Sequence, residues 1–188
     1  FGQCGLDLLA GPTEIAIIAD DSADPALVAC DLLGQAEHDP NSGQILVCLS
    51  ESFARRALAE LERQLEVLPT KDVAGVSWGQ NGRVLVADGL INSRVIILDA
   101  DGRYITVFGE RGTGRGQFNG VHGLAIGPEG QIYVADRDNH RVQVFNETTR
   151  AAGWYHPNIA PIGVWPGFGL PLDIIVSGYD VWVTQLAP

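Results

Sequence analysis

The sequence predicts a protein of two unlike halves, an α/β segment at residues 1–90 and an all-β segment at residues 91–188. In the first half, short β-branched runs alternate with stretches whose apolar residues recur every three to four positions, which indicates a partial parallel sheet with flanking helices. In the second half, short strand-like runs are separated by Gly, Asp and Asn and recur at a regular spacing.

The α/β half follows the order strand, helix, strand, helix, strand. Its three predicted strands are residues 14–18 (EIAII), 44–49 (QILVCL) and 83–87 (RVLVA). Pro25 suits the first turn of the first helix, where an N–H would have no helical partner. Ser50 is the expected N-cap of the second helix, and Pro69 ends that helix. This order predicts a mostly parallel sheet with right-handed crossovers.

The all-β half carries an internal repeat. The repeated segments are GRVLVAD at 82–88, GQIYVAD at 130–136 and a more divergent YDVWVTQ at 179–185. The matching residues Val86, Val134 and Val183 lie 48 and 49 residues apart, a period typical of β-propeller blades. Two to three blades fit here, fewer than the roughly 4–8 of a closed propeller. We expect the open edges to favour a protein partner or a homo-oligomer.

Composition excludes several classes of partner. The net charge is −11, and residues 1–75 hold 13 acidic but only 4 basic side chains, so nucleic acid is not an expected partner. The sequence contains no apolar run long enough to span a bilayer, so no membrane association is expected. The start at Phe1 and the absence of Met predict a fragment of a longer gene product.

The three cysteines predict a reduced protein. Cys4, Cys30 and Cys48 are an odd number without CxxC spacing. We expect buried free thiols rather than a disulfide framework, and therefore a cytoplasmic location.

Residues 10–39 (AGPTEIAIIADDSADPALVACDLLGQAEHD) end a predicted helix on Gln35 and His38. Residues three apart lie on one helical face, so the amide oxygen and the imidazole can converge. Such oxygen and nitrogen donors suit a divalent metal such as zinc. Taken alone, the pair also fits a helix C-terminus whose dipole favours a histidine.

The segments AGPTE, LLGQAEH and LPTKDVAGVSWGQNGRVLVAD closely resemble the histidinol dehydrogenase family, including its sulfopropanediol-dehydrogenase-like relatives. The resemblance implies oxidation of an alcohol with Zn²⁺ and NAD, a small amino-alcohol or sulfonated diol as substrate, and a place in histidine biosynthesis. It also implies that Gln35 and His38 are zinc ligands that touch substrate, and that Thr13 contacts substrate.

The same resemblance predicts an inactive chain. The Glu-His bases of the family lie in a segment like APEHLE about one helix beyond Asp88, and no such segment follows here. The Asp and His that complete the zinc site in the family also lack matching positions. A catalytic zinc needs at least three protein ligands, so we assign no catalytic residue and expect no turnover.

The segment GRGQFNGVHGLAIGPEGQIYVADRDNHRVQVF resembles the NHL repeat, most strongly over residues 116–146. This implies two to three NHL-like propeller blades and, as an alternative function, a non-enzymatic module that binds a protein partner. A peptide-amidating lyase among the NHL proteins holds zinc on histidines in segments like PHGL, and VHGL here places His122 at that position. Ala74 and Leu172, at the equivalent places of the neighbouring repeats, are not metal ligands.

Two further expectations concern the repeat itself. Asp136, Asn139 and Arg141, with Asp88 and Arg94 as their counterparts, should hydrogen-bond within their sheets. The Gly-rich run at 109–120 lacks the GK[ST] ending of a phosphate loop and is expected to be a simple connection. The two resemblances meet near residues 88–93, inside a strand that suits both folds.

Overall fold

The structure is a computed structural model that describes residues 14–89, 91–127, 129–146, 161–177 and 179–187. The first part contains β1 (Glu14–Ala19), α1 (Pro25–Ala36), β2 (Gly43–Cys48), α2 (Glu51–Val67), α3 (Lys71–Asn81), β3 (Arg83–Asp88), β4 (Arg94–Leu98) and β5 (Tyr104–Phe108). The second contains β6 (Val121–Ile126), β7 (Gln131–Asp136), β8 (Arg141–Asn146), β9 (Gly163–Pro166), β10 (Leu170–Ser177) and β11 (Asp180–Leu186).

Both predicted helices begin where the sequence places them. Asp24 caps α1 by accepting a hydrogen bond from the backbone N–H of Ala26 at 2.9 Å, and Pro25 occupies the first turn. Ser50 caps α2 by accepting a hydrogen bond from the N–H of Phe53 at 3.2 Å. These side chains satisfy N–H groups that have no partner inside the helix.

Helix α3 has no counterpart among the predicted elements. Two glycines weaken its intrinsic helix propensity, and its apolar residues do not form a continuous stripe. Tertiary contacts stabilise it instead: Ala74 and Trp78 are buried, and the Trp78 indole N–H donates a hydrogen bond to the carbonyl of Ala100 at 2.9 Å. Packing therefore decides this helix, whereas local sequence does not.

The first sheet is mixed, with the strand order β1-β2-β3-β4-β5. Strands β1, β2 and β3 are parallel, as predicted for the α/β half. Strands β3, β4 and β5 are antiparallel neighbours. Within β3, Val86 lies opposite Cys48 of the parallel neighbour and opposite Ile96 of the antiparallel neighbour. The strand expected to suit both folds therefore pairs with each half along one of its edges.

The remaining strands form a second, antiparallel sheet in the order β6-β7-β8-β9, followed by the β10-β11 hairpin. The fold is thus a mixed sheet with helices followed by antiparallel strands. In the described ranges the sheets do not close into a ring.

The helices, the two sheets and the hairpin form layers, and three hydrophobic clusters lie between these layers. The first cluster lies between the helices and one face of the first sheet. The second joins the other face of that sheet to the second sheet, and the third joins the second sheet to the hairpin. Phe108, Phe118 and Phe145 meet in the second cluster with ring centroids 4.9 to 6.3 Å apart. Such tilted and edge-on ring contacts add to the energy of apolar burial.

The sequence repeat is visible in this stacking. Val134 lies opposite Leu124 in the second sheet, and Val183 lies opposite Ile174 in the hairpin. Val86 belongs to the first cluster, Val134 to the second, and Val183 packs against the third. Each matching valine therefore faces the layer that precedes its own.

Candidate functional site

The helix that carries Gln35 ends earlier than predicted. Helix α1 stops at Ala36, and His38 lies in the following turn, where its backbone N–H donates a hydrogen bond to the carbonyl of Gln35 at 3.2 Å. The residue before a proline disfavours helical geometry, and here Asp39 precedes Pro40. The side chain of His38 is exposed and that of Gln35 is half-buried.

These two residues do not fit a complete zinc site. Across the described part of the chain, no group of three or more His, Cys, Asp or Glu side chains could hold a metal ion. Glu37, between the pair, is exposed and accepts a hydrogen bond from Thr70. A catalytic zinc needs at least three protein ligands, whereas this place offers one amide and one imidazole. Thr13 lies outside the described residues, so its substrate contact stays a prediction.

His122 lies where two strands are irregular together. The register shifts between Val121 and Leu124 in β6, and between Pro171 and Asp173 in β10. The imidazole Nδ1 is 2.8 Å from the carbonyl oxygen of Leu172. Since a carbonyl only accepts, Nδ1 carries the proton of this hydrogen bond. Bulges commonly redirect a side chain beside a binding site.

Gly123 permits the close approach of β10 to β6. A Cβ at this position would lie 2.6 Å from the carbonyl oxygen of Leu172 and 2.8 Å from the Cα of Asp173. Both are backbone atoms, which cannot rotate away. The glycine is therefore a steric requirement of the contact that orients His122.

His122 lines two neighbouring grooves of about 410 and 370 Å³. The first also contacts Asp20 and Asp173, and the second contacts Asp88. Leu49 lines both, directly after the end of β2. The grooves thus lie outside the carboxyl ends of β1, β2 and β3, where open α/β sheets commonly bind ligands.

The two sets of sequence-predicted ligands lie apart. Ala23, just before α1, lines the larger groove with His122, whereas Gln35 lies in the last turn of that helix. The rise of an α-helix puts about 15 Å between its first turn and Gln35. Gln35 and His38 are therefore at the opposite edge of the sheet from His122, and one small ligand cannot bridge them.

A buried ionic network lies at the turn between β7 and β8. Asp136, fully buried, accepts hydrogen bonds from Arg141 at 2.6 Å and from Asn139 at 2.9 Å. The corresponding turn of the first sheet has Asp88 accepting from Arg94 at 2.7 Å. These contacts confirm the predicted hydrogen bonding within the sheets.

The turn conformation repeats as well. Ser93 and His140, each just before the arginine of its turn, have left-handed φ angles of 54° and 56°. The repeated sequence therefore encodes a repeated backbone geometry.

The Gly-rich run connects β5 to β6, and its backbone groups form hydrogen bonds with the side chains of Arg141 and Gln143. Arg141 donates hydrogen bonds to the carbonyls of Thr113, Gly114 and Gln117 at 2.7 to 2.8 Å. The N–H of Gly116 donates to the side-chain oxygen of Gln143 at 2.9 Å. A phosphate loop would instead direct its N–H groups toward a ligand.

The two described cysteines are free thiols in different environments. Cys48 is buried at the end of β2, as predicted, and burial raises its pKa to about 12. Cys30 is exposed on α1, which corrects the prediction of a buried thiol. Cys30 lies on the exposed side of α1, whose buried side includes Val28, Ala29, Leu32 and Leu33.

Two family models match different parts of the chain. The family model for histidinol dehydrogenase matches residues 1–99, and the model for the NHL repeat matches residues 118–145. Because the first match covers more than half of the 188 residues, the chain belongs to the histidinol dehydrogenase family. That match extends through β4, which pairs antiparallel with β3.

Individual similar proteins match about half of the chain. A histidinol dehydrogenase homolog of Shouchella clausii is 50% identical over 101 residues, covering 54% of this chain and 23% of that protein. Histidinol dehydrogenase 1 of Nostoc sp. is 45% identical over 93 residues, covering 50% and 22%. The chain thus spans about a fifth of the length of these relatives.

The crystal structure of histidinol dehydrogenase from Elizabethkingia anophelis is also similar. The two are 41% identical, with a TM-score of 0.39, over 42% of this chain and 18% of that one.

In the part of this chain that the structure describes, no helix is long and apolar enough to cross a bilayer.

Proposed function

We propose that this chain is a non-catalytic derivative of a zinc- and NAD-dependent histidinol dehydrogenase. The observation that supports this is the pairing of β3. Its outer edge is taken by β4, the last strand within the matched residues 1–99, in antiparallel register from Val84 to Asp88. After β3 the chain no longer alternates parallel strands with helices. The resemblance places the Glu-His bases of the family beyond this point.

The remains of the family's site are Thr13, Gln35 and His38. By resemblance they would touch Zn²⁺ and a small amino-alcohol or sulfonated diol. The described residues add no third ligand, so we derive no chemical step that depends on the metal or on NAD. The residues that would bind the nucleotide are unknown, and the cytoplasmic location stays a prediction.

Turnover tests this proposal directly. The chain is incubated with NAD and either histidinol or a sulfonated diol in the presence of zinc, and reduction of NAD is followed by absorbance. We expect no reduction above a blank without protein. Zinc-dependent reduction that saturates with substrate would contradict the proposal.

Zinc stoichiometry tests the predicted ligands separately. If His38 is a residual ligand, His38→Ala lowers bound zinc, whereas His140→Ala, on another turn, leaves it unchanged. Equal zinc in the wild type and in His38→Ala would remove Gln35 and His38 as ligands. Loss of zinc on His122→Ala alone would favour the amidating-lyase-like alternative.

A second candidate function, a non-enzymatic interaction module, is favoured by the exposed side of the hairpin. Ile175 and Trp182 lie directly opposite each other and are 52% and 64% exposed. With Leu186, 51% exposed, they form what we call the outer hairpin face. We interpret the two antiparallel layers as NHL-like blades that a further layer would extend.

The matching position in the preceding repeat suggests that a further layer covers the outer hairpin face. Trp182 precedes Val183 as Tyr133 precedes Val134, and Tyr133 is buried against the next layer. We therefore propose that a second copy of the chain covers this face in a two-fold dimer, so that the two hairpins pack face to face. Charge is low there, since Asp173 and Asp180 are the only charged residues within the described ranges 161–177 and 179–187.

Sedimentation velocity tests the dimer. We expect the wild type to sediment as a concentration-dependent dimer and Trp182→Ser to shift to the monomer. Tyr104→Ser removes an aromatic ring that is 60% exposed on the first sheet and should leave the dimer intact. A wild type that stays monomeric at every concentration would exclude this interface.

A further inference from the structure

We propose that the larger groove beside His122 binds a small organic ammonium ion with an apolar body. The groove is formed by both halves of the chain, since Asp20 and Leu49 come from the α/β part and His122 and Asp173 from the antiparallel part. Its volume of about 410 Å³ suits a small molecule. The inference is independent of the proposed function, because Gln35 and His38 lie at the other edge of the sheet.

The charges along the groove favour a cation. Asp20 and Asp173 are its carboxylates, and among the described residues no lysine or arginine lines it. Hydrogen bonds from the hydroxyl and the backbone N–H of Ser22 lower the pKa of Asp20, so this carboxylate is ionised at neutral pH. One oxygen of Asp173 accepts from the N–H of Ile174 at 2.9 Å. Each carboxylate keeps further lone pairs for an ammonium N–H.

The imidazole of His122 is oriented for the same role. Its Nδ1–H is committed to the carbonyl of Leu172, so in the neutral ring Nε2 is left as an acceptor. The paired irregularities of β6 and β10, together with Gly123, maintain this orientation. Three acceptors of N–H bonds thus line one groove, and an ammonium ion needs only some of them because water can accept its remaining N–H bonds.

The rest of the wall is apolar. Ile18, Leu49, Leu124 and Leu172 line the groove, so the favoured ligand carries hydrocarbon as well as charge. A metal ion is disfavoured because, within the described residues, no three His, Cys, Asp or Glu side chains are grouped closely enough to hold one, and this includes Asp20, Asp173 and His122. An inorganic anion is disfavoured because the lining that the structure describes has no lysine or arginine to neutralise it.

The test compares three probes of similar size: phenethylammonium, 2-phenylethanol and 3-phenylpropionate. Binding to the full chain is measured by calorimetry and by ligand-detected NMR. We expect phenethylammonium to bind, the alcohol to bind more weakly and the carboxylate not to bind. Equal binding of the ammonium ion and the carboxylate would overturn the proposal.

Variants locate the site. Asp20→Asn and Asp173→Asn keep a side-chain oxygen for their local hydrogen bonds, so the fold is preserved while the charge is lost. We expect each to weaken phenethylammonium about tenfold, the loss typical of a charge-assisted hydrogen bond. Asp180→Asn removes the same charge from an exposed residue on the same hairpin and should leave binding unchanged. An equal loss in Asp180→Asn would mean that only the overall negative charge attracts the probe.

Discussion

At the scale of single residues, the thiol of Cys48 shows how burial sets reactivity. It is fully enclosed at the end of β2, and its sulfur is 3.7 Å from the carbonyl of Leu85. Withdrawal from water disfavours the thiolate, so burial raises the pKa from 9.0 to about 12. Since the thiolate is the reactive form, Cys48 should be inert near neutral pH.

Alkylation with iodoacetamide at mildly alkaline pH should therefore modify Cys30 and spare Cys48. Peptide mapping by mass spectrometry separates the two sites. In denaturant both should react at similar rates, which is the control. Comparable modification of Cys48 in the native protein would contradict its burial.

The same pKa shift predicts a loss of stability at high pH. Between pH 9 and 12 the unfolded state releases the Cys48 proton and the folded state keeps it, so unfolding becomes easier as pH rises. The expected slope is about 1.4 kcal/mol per pH unit, and below the unfolded pKa the contribution of Cys48 is constant. Urea melts of the wild type and Cys48→Ala at several pH values measure it. The variant should have the shallower slope, and parallel slopes would contradict the prediction.

Asp136 and Asp88 provide a matched pair of ionic residues. The side chain of Asp136 is fully buried, whereas that of Asp88 is 24% exposed beside an Arg94 that is 43% exposed. Asp136→Ala leaves the guanidinium of Arg141 uncompensated, so we expect about 3–5 kcal/mol of destabilisation. Asp88→Ala should cost about 1 kcal/mol or less, because solvent screens the pair. Denaturant unfolding measures both, and equal losses would contradict the role of burial.

At the scale of elements, β3 explains how the two halves are joined. A strand exposes hydrogen-bonding groups on two edges, and β3 uses one for a parallel partner and the other for an antiparallel partner. The run RVLVAD contains no proline and is buried over four central residues, which suits a central strand of either sheet type. The join therefore leaves no free strand edge at this point.

Gly123 and Gly34 predict opposite effects of the same substitution. Gly123→Ala would push a Cβ against the backbone of Leu172 and Asp173, and overpacking of this kind typically costs about 1–3 kcal/mol. Gly34 lies inside α1, and a Cβ added there would have no neighbouring atom within 4 Å, so Gly34→Ala should stabilise by roughly 0.5–1 kcal/mol. Thermal melts compare the two, and a tolerated alanine at position 123 would contradict the close approach of β10.

At the scale of the whole molecule, the layers share their cores. The first sheet buries Leu85 and Ala87 against the second sheet while Val84 and Val86 of the same strand face the helices. Neither half can unfold without exposing an apolar face of the other. The chain should therefore unfold as one unit, in spite of its two family resemblances.

Unfolding as one unit is tested by comparing the melting curves of two spectroscopic signals. Far-ultraviolet circular dichroism at a helix-sensitive wavelength follows the α/β part, and tyrosine and tryptophan fluorescence follows both parts. We expect the two curves to superimpose. Phe145→Ala, which removes a fully buried ring between the sheets, should lower both midpoints together through a loss of about 3–5 kcal/mol. Two separate transitions would show that the halves fold independently.

Local sequence alone was enough to predict the strands and two helices of the α/β half, because their caps and apolar spacings lie within a few residues of one another. Asp24, Pro25 and Ser50 are such signals. Local sequence could not predict α3, whose stability comes from Trp78 and its contact with Ala100, 22 residues away. Nor could it place His38 outside α1, because the end of a helix depends on the competition with the turn that follows.

By itself, the sequence determined the family of the first half and the repeat of the second, because these depend on residue identity and spacing. Only the tertiary structure decided that the two halves share a core and that Gln35 and His38 lie at the opposite edge of the sheet from His122. It also placed two aspartates beside that histidine. The physical reason is that a groove depends on how distant strands pack and on where their register breaks, and neither is written in any single segment.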